Sequence, residues 1–317
     1  MSDKVKLPVI DTLTGALSFA AKRFPTVLKV ALLPSLLLYV PILWIAATSL
    51  GGLMEQLPSL ISAEGTGELS DEQTMELFKA MAPFYFAMMA MLPLSLLYSA
   101  MVGVPLSRAI VLDEKPGFFR LDGLVWRYFF GQIVMFFLIL GLMLAILGTA
   151  AAAIIALDPE ENLVGAVMIG LVALFLFIFI TVRLSLFMVE VAISGKFGVR
   201  AAFKVTRGNV MRLIGASLLF FGLIIVIGIV FELVFYLFGG IALAANFNAI
   251  EVATEAEDIG LMIDAVRGMI VSPIGGAFAG VFAIYTLFMV GLQTAFPALI
   301  YRNLGGGSRS LDLIAEK

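Results

Sequence analysis

The sequence predicts an all-α integral membrane protein with six transmembrane helices, arranged as three two-helix repeats that are each preceded by a cytoplasmic interfacial amphipathic helix. Of its 317 residues, 62% are hydrophobic and 14% are charged, too few charges to cover a soluble globule of that size. Six stretches without charge are each long enough to cross about 30 Å of hydrocarbon as a helix. These stretches are 30–54, 80–107, 128–157, 162–182, 213–231 and 268–301.

Helices rather than barrel strands are predicted because the apolar runs do not alternate with polar residues. The run 171–178 reads LVALFLFI, whereas a membrane strand needs alternation. A helix satisfies all its backbone hydrogen bonds internally in lipid. The first run follows Lys22 and Arg23 as in a signal peptide, but it is 25 residues long and lacks a convincing cleavage site. We therefore expect a retained helix.

The distribution of charge predicts the topology. Of 20 basic residues, 18 lie in the N-terminus, the connections 105–127 and 183–212, and the C-terminal tail. The connections 55–79, 158–161 and 251–267 are acidic. Under the positive-inside rule the basic segments are cytoplasmic, so both termini are predicted to be cytoplasmic.

The stretch 213–250 is the least certain part of the span count. It is long enough for two short spans, interrupted at Glu232 and weakened at Gly239 and Gly240. A seventh span would move the C-terminal tail outside. We therefore favour one long tilted helix.

A repeating unit is indicated within a single membrane domain covering 1–317. Its predicted boundaries are about 8–112, 113–194 and 195–304, followed by a tail, 305–317. Arg23, Arg127 and Arg207 each precede an outward span and are candidates for equivalent positions.

Helical spacing of apolar residues predicts the interfacial helices. The first covers about 10–24 and the second about 118–129. The third, 199–209, places Arg200, Lys204 and Arg207 at spacings of four and three, so one helix face would carry three cations.

The segment 201–213, AAFKVTRGNVMRL, precedes an apolar helix. It resembles an element of uncharacterised bacterial six-helix inner-membrane proteins, including the membrane region fused to some glycerophosphodiester phosphodiesterases. The resemblance covers about 25 residues closely and otherwise the general plan of the chain. It implies the bacterial inner (plasma) membrane and no established activity. The chain lacks the soluble catalytic domain of the fused relatives, so no phosphodiesterase residues carry over.

Candidate binding residues are the densest cytoplasmic cations, which suit an anionic lipid headgroup or a protein partner as well as ordinary positive-inside anchoring. They are Arg183, Lys196, Arg200, Lys204, Arg207 and Arg212.

Two ionisable residues are predicted within membrane helices, where charge is costly and suggests function. Glu190 is expected to form an ion pair with Arg108, Arg127 or Arg302. Glu232 is expected near the outer interface, as a wetted or hydrogen-bonded carboxylate or as an ion-linked or proton-linked group.

Histidine and cysteine are both absent, which excludes imidazole bases, thiolate nucleophiles and disulfides. No catalytic set, metal site, cofactor or nucleic-acid site is expected. The favoured function is therefore a non-enzymatic inner-membrane protein that binds phospholipid or a membrane-protein partner.

Two rival functions stay open. A small transporter or channel would use modestly polar membrane residues, and a lipid-headgroup enzyme would need Asp113, Glu114 and Glu190 to converge. The polar residues are Gln132, Thr181, Tyr285, Thr286 and Gln293.

Overall fold

The structure, a computed structural model, describes residues 6–64, 71–156, 162–255, 261, 268 and 272–305. Within these ranges the secondary structure is α-helical, without strands. The helices are α1 (Val9–Lys22), α2 (Phe24–Glu64), α3 (Asp71–Val111), α4 (Gly123–Ala156), α5 (Leu163–Leu184), α6 (Phe187–Ser194), α7 (Val199–Val205), α8 (Val210–Glu255) and α9 (Pro273–Asn303).

Among the described residues, six segments are long and apolar enough to cross a membrane, which confirms the predicted fold class. The fourth segment, Leu163–Ser194, contains both α5 and α6. The others lie in α2, α3, α4, α8 and α9.

The apolar surface of these helices is largely exposed. None of the most apolar window of α8 is buried, and only 6% of that of α4 is. Leu218 and Phe221 on α8 are examples of exposed side chains. A soluble protein rarely exposes continuous apolar faces of this size, so lipid or another membrane protein must cover them.

Local sequence explains where several helices begin and end. Asp122 Oδ1 accepts hydrogen bonds from the amides of Leu124 and Val125 at 3.0 and 3.1 Å, and thereby caps α4. Asn162 Oδ1 accepts one from the amide of Gly165 at 3.1 Å and caps α5. Gly195 ends α6 with a φ of 69°, which a residue without a side chain adopts readily.

The stretch 213–250 belongs to one continuous helix. α8 runs 46 residues from Val210 to Glu255, through Glu232 and both Gly239 and Gly240. Within the described residues six spans therefore result rather than seven, as favoured from the sequence. At 1.5 Å per residue α8 is about 69 Å long and extends well beyond a bilayer core.

The interfacial helices agree with the sequence in part. α1 corresponds to the first prediction. The second is wrong as a separate helix, because Asp113–Leu121 are not helical and 123–129 are the first turns of α4. The third is shorter than predicted, because α7 ends at Val205. Arg207 therefore lies in the turn before α8 and not on the helix that carries Arg200 and Lys204.

The chain divides into two compact units. The first contains the chain up to Ala31, Ser99–Leu223 and the chain from Phe288, and the second contains Leu32–Tyr98 and Ile224–Leu287. This division does not test the predicted single domain with three repeats, which stays a prediction.

In the first unit, Phe187, Val191 and Ala202 form a buried cluster that joins α6 to α7. Close helix approach in the same unit depends on Gly291 of α9. A β-carbon at Gly291 would lie 3.0 Å from Val27 of α2. In the second unit, the Tyr39 and Tyr98 rings join α2 to α3 with centroids 5.1 Å apart, and the Phe231 and Tyr285 rings join α8 to α9 at 4.2 Å.

Candidate functional site

Five of the six predicted binding cations, all except Arg183, are exposed in the first unit. We define the basic surface as Lys196, Arg200, Lys204 and Arg207; all four residues are exposed. Their side chains make no ion pair with any other residue that the structure describes. They are thus available to an external anion.

Arg183 is directed against α7 rather than toward solvent. Its Nη2 donates a hydrogen bond to the Phe203 carbonyl at 2.8 Å, and its Nε donates one to Thr206 Oγ1 at 3.3 Å. The guanidinium also lies over the Phe203 ring, 4.4 Å from the centroid. Arg183 therefore joins the end of α5 to α7 and positions the basic surface.

Arg212 contacts the N-terminal segment. Its Nη1 donates to the Leu7 carbonyl at 3.3 Å, while the Leu7 amide donates to Asn209 Oδ1 at 3.1 Å. Leu7 is itself 1% exposed. Arg212 is exposed, but, like Arg183, it is partly used in intramolecular contacts.

Glu190 is buried but does not form the expected ion pair. Its carboxylate accepts a hydrogen bond from Tyr301 Oη at 2.5 Å. The three predicted partners contact other groups among the described residues, since Arg108 donates to the Ile193 carbonyl and Arg127 to the Gly195 carbonyl. Arg302 donates to the Ile110 carbonyl. The expectation of an Arg108, Arg127 or Arg302 pair is therefore wrong, because these guanidinium groups bind backbone carbonyls and, for Arg108 and Arg302, the carboxylates of Glu114 and Asp113.

Close packing against α7 completes the Glu190 environment. A β-carbon at Gly198 would lie 3.1 Å from Glu190 Cγ. A larger residue at Gly198 would require the Glu190 side chain to shift by a few tenths of an ångström.

Glu232 is exposed on α8 and accepts a hydrogen bond from Tyr236 Oη at 3.3 Å, one helical turn further on. The structure thus gives it a hydrogen-bonded partner, as in the first of its two predicted interpretations. The alternative role in ion or proton movement is not tested by this contact.

A cavity of about 420 Å³ lies within the first unit, where the sequence did not predict one. It is open to the surface and is lined by residues of α1, the start of α2, the ends of α3 and α9 and the loop 113–116. The cavity is lined by Gly15, Ser18, Phe19, Lys22, Arg23, Thr26, Ala109, Ile110, Asp113, Glu114, Lys115, Pro116, Leu299 and Arg302. The many basic residues of 105–127 and of the N-terminus could have indicated an anion-binding site. Nothing in the sequence indicates that these segments lie close to the end of α9.

The loop that lines this cavity is held by charge. Arg108 Nε donates to Glu114 Oε2 at 2.7 Å, and Arg108 Nη2 donates to the other carboxylate oxygen. This hydrogen bonding by Arg108 lowers the pKa of Glu114 from its ordinary value of 4.5. Asp113 next to it has a φ of 53°, a left-handed conformation that asparagine and aspartate tolerate better than most residues.

Of the residues of the two rival functions, only Asp113 and Glu114 line this cavity. Glu190 is absent from its lining, so it does not join Asp113 and Glu114 there. The polar candidates for a transport path, Gln132, Thr181, Tyr285, Thr286 and Gln293, do not line it either. In the described ranges no three acidic side chains are grouped so that they could hold a metal ion.

The fold and the exposed apolar helices define this chain as a polytopic α-helical membrane protein. No protein-family model matches the chain, and no curated protein or solved structure matches it. The resemblance to the membrane region of glycerophosphodiester phosphodiesterases stays a prediction.

Proposed function

We propose that this chain is a non-enzymatic protein of the bacterial inner membrane that binds anionic phospholipid at its cytoplasmic side through the basic surface. The observation that carries the proposal is the exposure of four cations within 12 residues, without ion pairs to any described residue. Each cation close to an anionic membrane contributes about 1 kcal/mol of attraction.

Apolar neighbours support a lipid ligand over a soluble anion. Phe197 is 51% exposed and Met211 is 67% exposed, and they lie on either side of the basic surface in sequence. Basic side chains beside exposed apolar ones are typical of segments that rest in the headgroup region, with the apolar groups among the acyl chains.

The proposed orientation follows from the positive-inside rule. The basic surface lies in a connection that holds six of the basic residues, and the acidic connections would lie on the outer side. Both termini would then be cytoplasmic.

The test compares lipid binding by surface variants. We would purify the wild type and the variant Lys196→Gln/Arg200→Gln/Lys204→Gln/Arg207→Gln in neutral detergent. Native mass spectrometry would then measure retention of phosphatidylglycerol against phosphatidylcholine. Because about 1.4 kcal/mol corresponds to tenfold in affinity, loss of four cations should weaken phosphatidylglycerol binding by at least about tenfold.

Two controls separate charge from folding. Exchanging Lys for Arg and Arg for Lys at the same four positions keeps the charge and should preserve binding. Lys79→Gln removes an exposed cation from α3, outside this surface, and should also leave binding unchanged. Equal phosphatidylglycerol retention by the glutamine variant and the wild type would refute the proposal, and a stably co-purifying protein in place of lipid would favour a membrane-protein partner.

A further inference from the structure

The cavity of the first unit has the size of a small-molecule site and a charged lining. Its volume of about 420 Å³ falls within the range of small-molecule sites. It is formed by elements that do not contribute to the basic surface, namely α1, the start of α2, the ends of α3 and α9, and the loop 113–116. It is therefore a separate feature of the molecule.

The charge of its lining favours an anion. Lys22, Arg23, Lys115 and Arg302 are cations, and Asp113 and Glu114 are the acidic residues. Glu114 is already neutralised by Arg108, which is not part of the lining.

Asp113 offsets one of these cations in part. Its carboxylate lies 3.8 Å from Arg302 Nη1. Lys22, Arg23 and Lys115 are exposed and make no ion pair within the described part of the chain. Three cations that make no ion pair with a described residue thus line one cavity.

The frame around these cations is fixed before any ligand binds. Arg302 Nη1 donates to the Ile110 carbonyl at 3.1 Å and joins α9 to α3. Asn303 Nδ2 donates to Thr12 Oγ1 at 2.9 Å and joins α9 to α1. A preformed frame lowers the entropy lost when a ligand is held.

We propose that this cavity binds a phosphate monoester group. A doubly charged phosphate needs more than one cation, and its three free oxygens can accept hydrogen bonds from several donors at once. Lys22, Arg23 and Lys115 supply the charge. The hydroxyls of Ser18 and Thr26 in the same lining supply further donors. A lipid headgroup and a soluble ester share this chemistry.

The experiment has two arms that distinguish these sources. Wild-type protein in phosphatidylcholine nanodiscs would be titrated calorimetrically with glycerol phosphate as the soluble probe. In the second arm, binding of short-chain phosphatidic acid to the protein in neutral detergent would be measured by native mass spectrometry. We expect saturable binding in at least one arm, and that arm identifies the source. The absence of saturable binding in both arms would overturn the proposal.

Variants place the site in the cavity. Arg23→Gln/Lys115→Gln should weaken binding at least tenfold, while Arg23→Lys/Lys115→Arg should retain it. Lys29→Gln removes an exposed cation of α2 that does not line the cavity and should bind as the wild type does. Wild-type affinity in the double glutamine variant would contradict the assignment. If that variant does not fold, Lys115→Gln alone, on the exposed loop, should still weaken binding, and unchanged binding would refute the site.

The two proposals fail independently. The four-residue glutamine variant of the basic surface should bind the phosphate monoester with wild-type affinity. If it loses this ligand as well, the cavity is not a separate site and the inference is wrong.

Discussion

Glu190 is a carboxylate that is almost excluded from solvent, with 7% of its surface exposed, and Tyr301 donates a hydrogen bond to it. Removing one partner of a buried hydrogen bond leaves the other unsatisfied, at a cost of about 1 to 3 kcal/mol. We expect Tyr301→Phe to lower the thermal unfolding temperature in detergent. Tyr236→Phe, which removes a hydroxyl bonded to the exposed Glu232, is the matched control and should have little effect. Equal unfolding temperatures for the two variants would refute this role of Tyr301.

The Arg108–Glu114 pair predicts a pH dependence. Arg108 holds the pKa of Glu114 below its ordinary value of 4.5 in the folded protein. A group with a lowered folded pKa stabilises the fold at pH values above its unfolded pKa, and this stabilisation is lost as the pH falls through the folded value. Glu114→Gln should therefore melt below the wild type at neutral pH.

The difference between Glu114→Gln and wild type should shrink in acid, below the ordinary carboxyl range. The side chain of Glu114 is 43% exposed, so screening by solvent makes the effect on stability modest. Melting curves at neutral and acid pH measure it. A difference that is independent of pH would show that the charge of Glu114 is not the cause.

At the level of single residues, the sequence predicted that Glu190 is buried but did not predict which side chain it contacts. Burial of Glu190 follows from an acid within an apolar segment. The hydrogen-bond partner of Glu190 could not be predicted, because Tyr301 is 111 residues away in the sequence. Arg108 and Arg127, two of the expected partners, donate to backbone carbonyls instead.

At the scale of helices, Arg183 holds α7 against α5. Its hydrogen bond to the Phe203 carbonyl and its contact with the Phe203 ring together are worth about 1 to 3 kcal/mol. Arg183→Met should increase hydrogen exchange of the amides in 199–206. Arg200→Met, on the exposed side of α7, should leave the exchange unchanged. Identical exchange in both variants would mean that Arg183 does not hold this helix.

Contact between α2 and α9 in the first unit depends on Gly291. A larger residue would press on Val27, at a cost of about 1 to 3 kcal/mol. Gly291→Val should lower the unfolding temperature and the folded yield. Gly280→Val is the control, since nothing lies within 4 Å of a β-carbon there. If Gly280→Val destabilises the protein as much as Gly291→Val does, the cause is the helix propensity of valine rather than its packing against Val27.

Helix existence was largely predictable, and helix ends less so. The charge-free stretches predicted the six spans found among the described residues, since apolar length is a direct requirement of the bilayer. The segment 118–129 was predicted as one interfacial helix because approximate helical spacing continues into α4. The actual boundary is the Asp122 cap, a local hydrogen-bonding signal that spacing does not contain.

For the whole molecule, composition and charge predicted the class of protein, while the cavity required the fold. Lys22, Lys115 and Arg302 are far apart in the sequence, and nothing in their local patterns indicates that they share a lining. The basic surface was predictable because its members lie within one short segment.

The proposed topology places the basic segments on the cytoplasmic side and the acidic segments on the outer side of the membrane. The absence of cysteine from the sequence allows single introduced thiols to report the side of each segment. Labelling of Arg200→Cys and Glu251→Cys with a membrane-impermeant maleimide, in intact and permeabilised bacterial spheroplasts, is the most direct test. We predict that Glu251→Cys reacts in intact spheroplasts and that Arg200→Cys reacts only after permeabilisation. Reaction of both positions from the same side of the membrane would contradict the account.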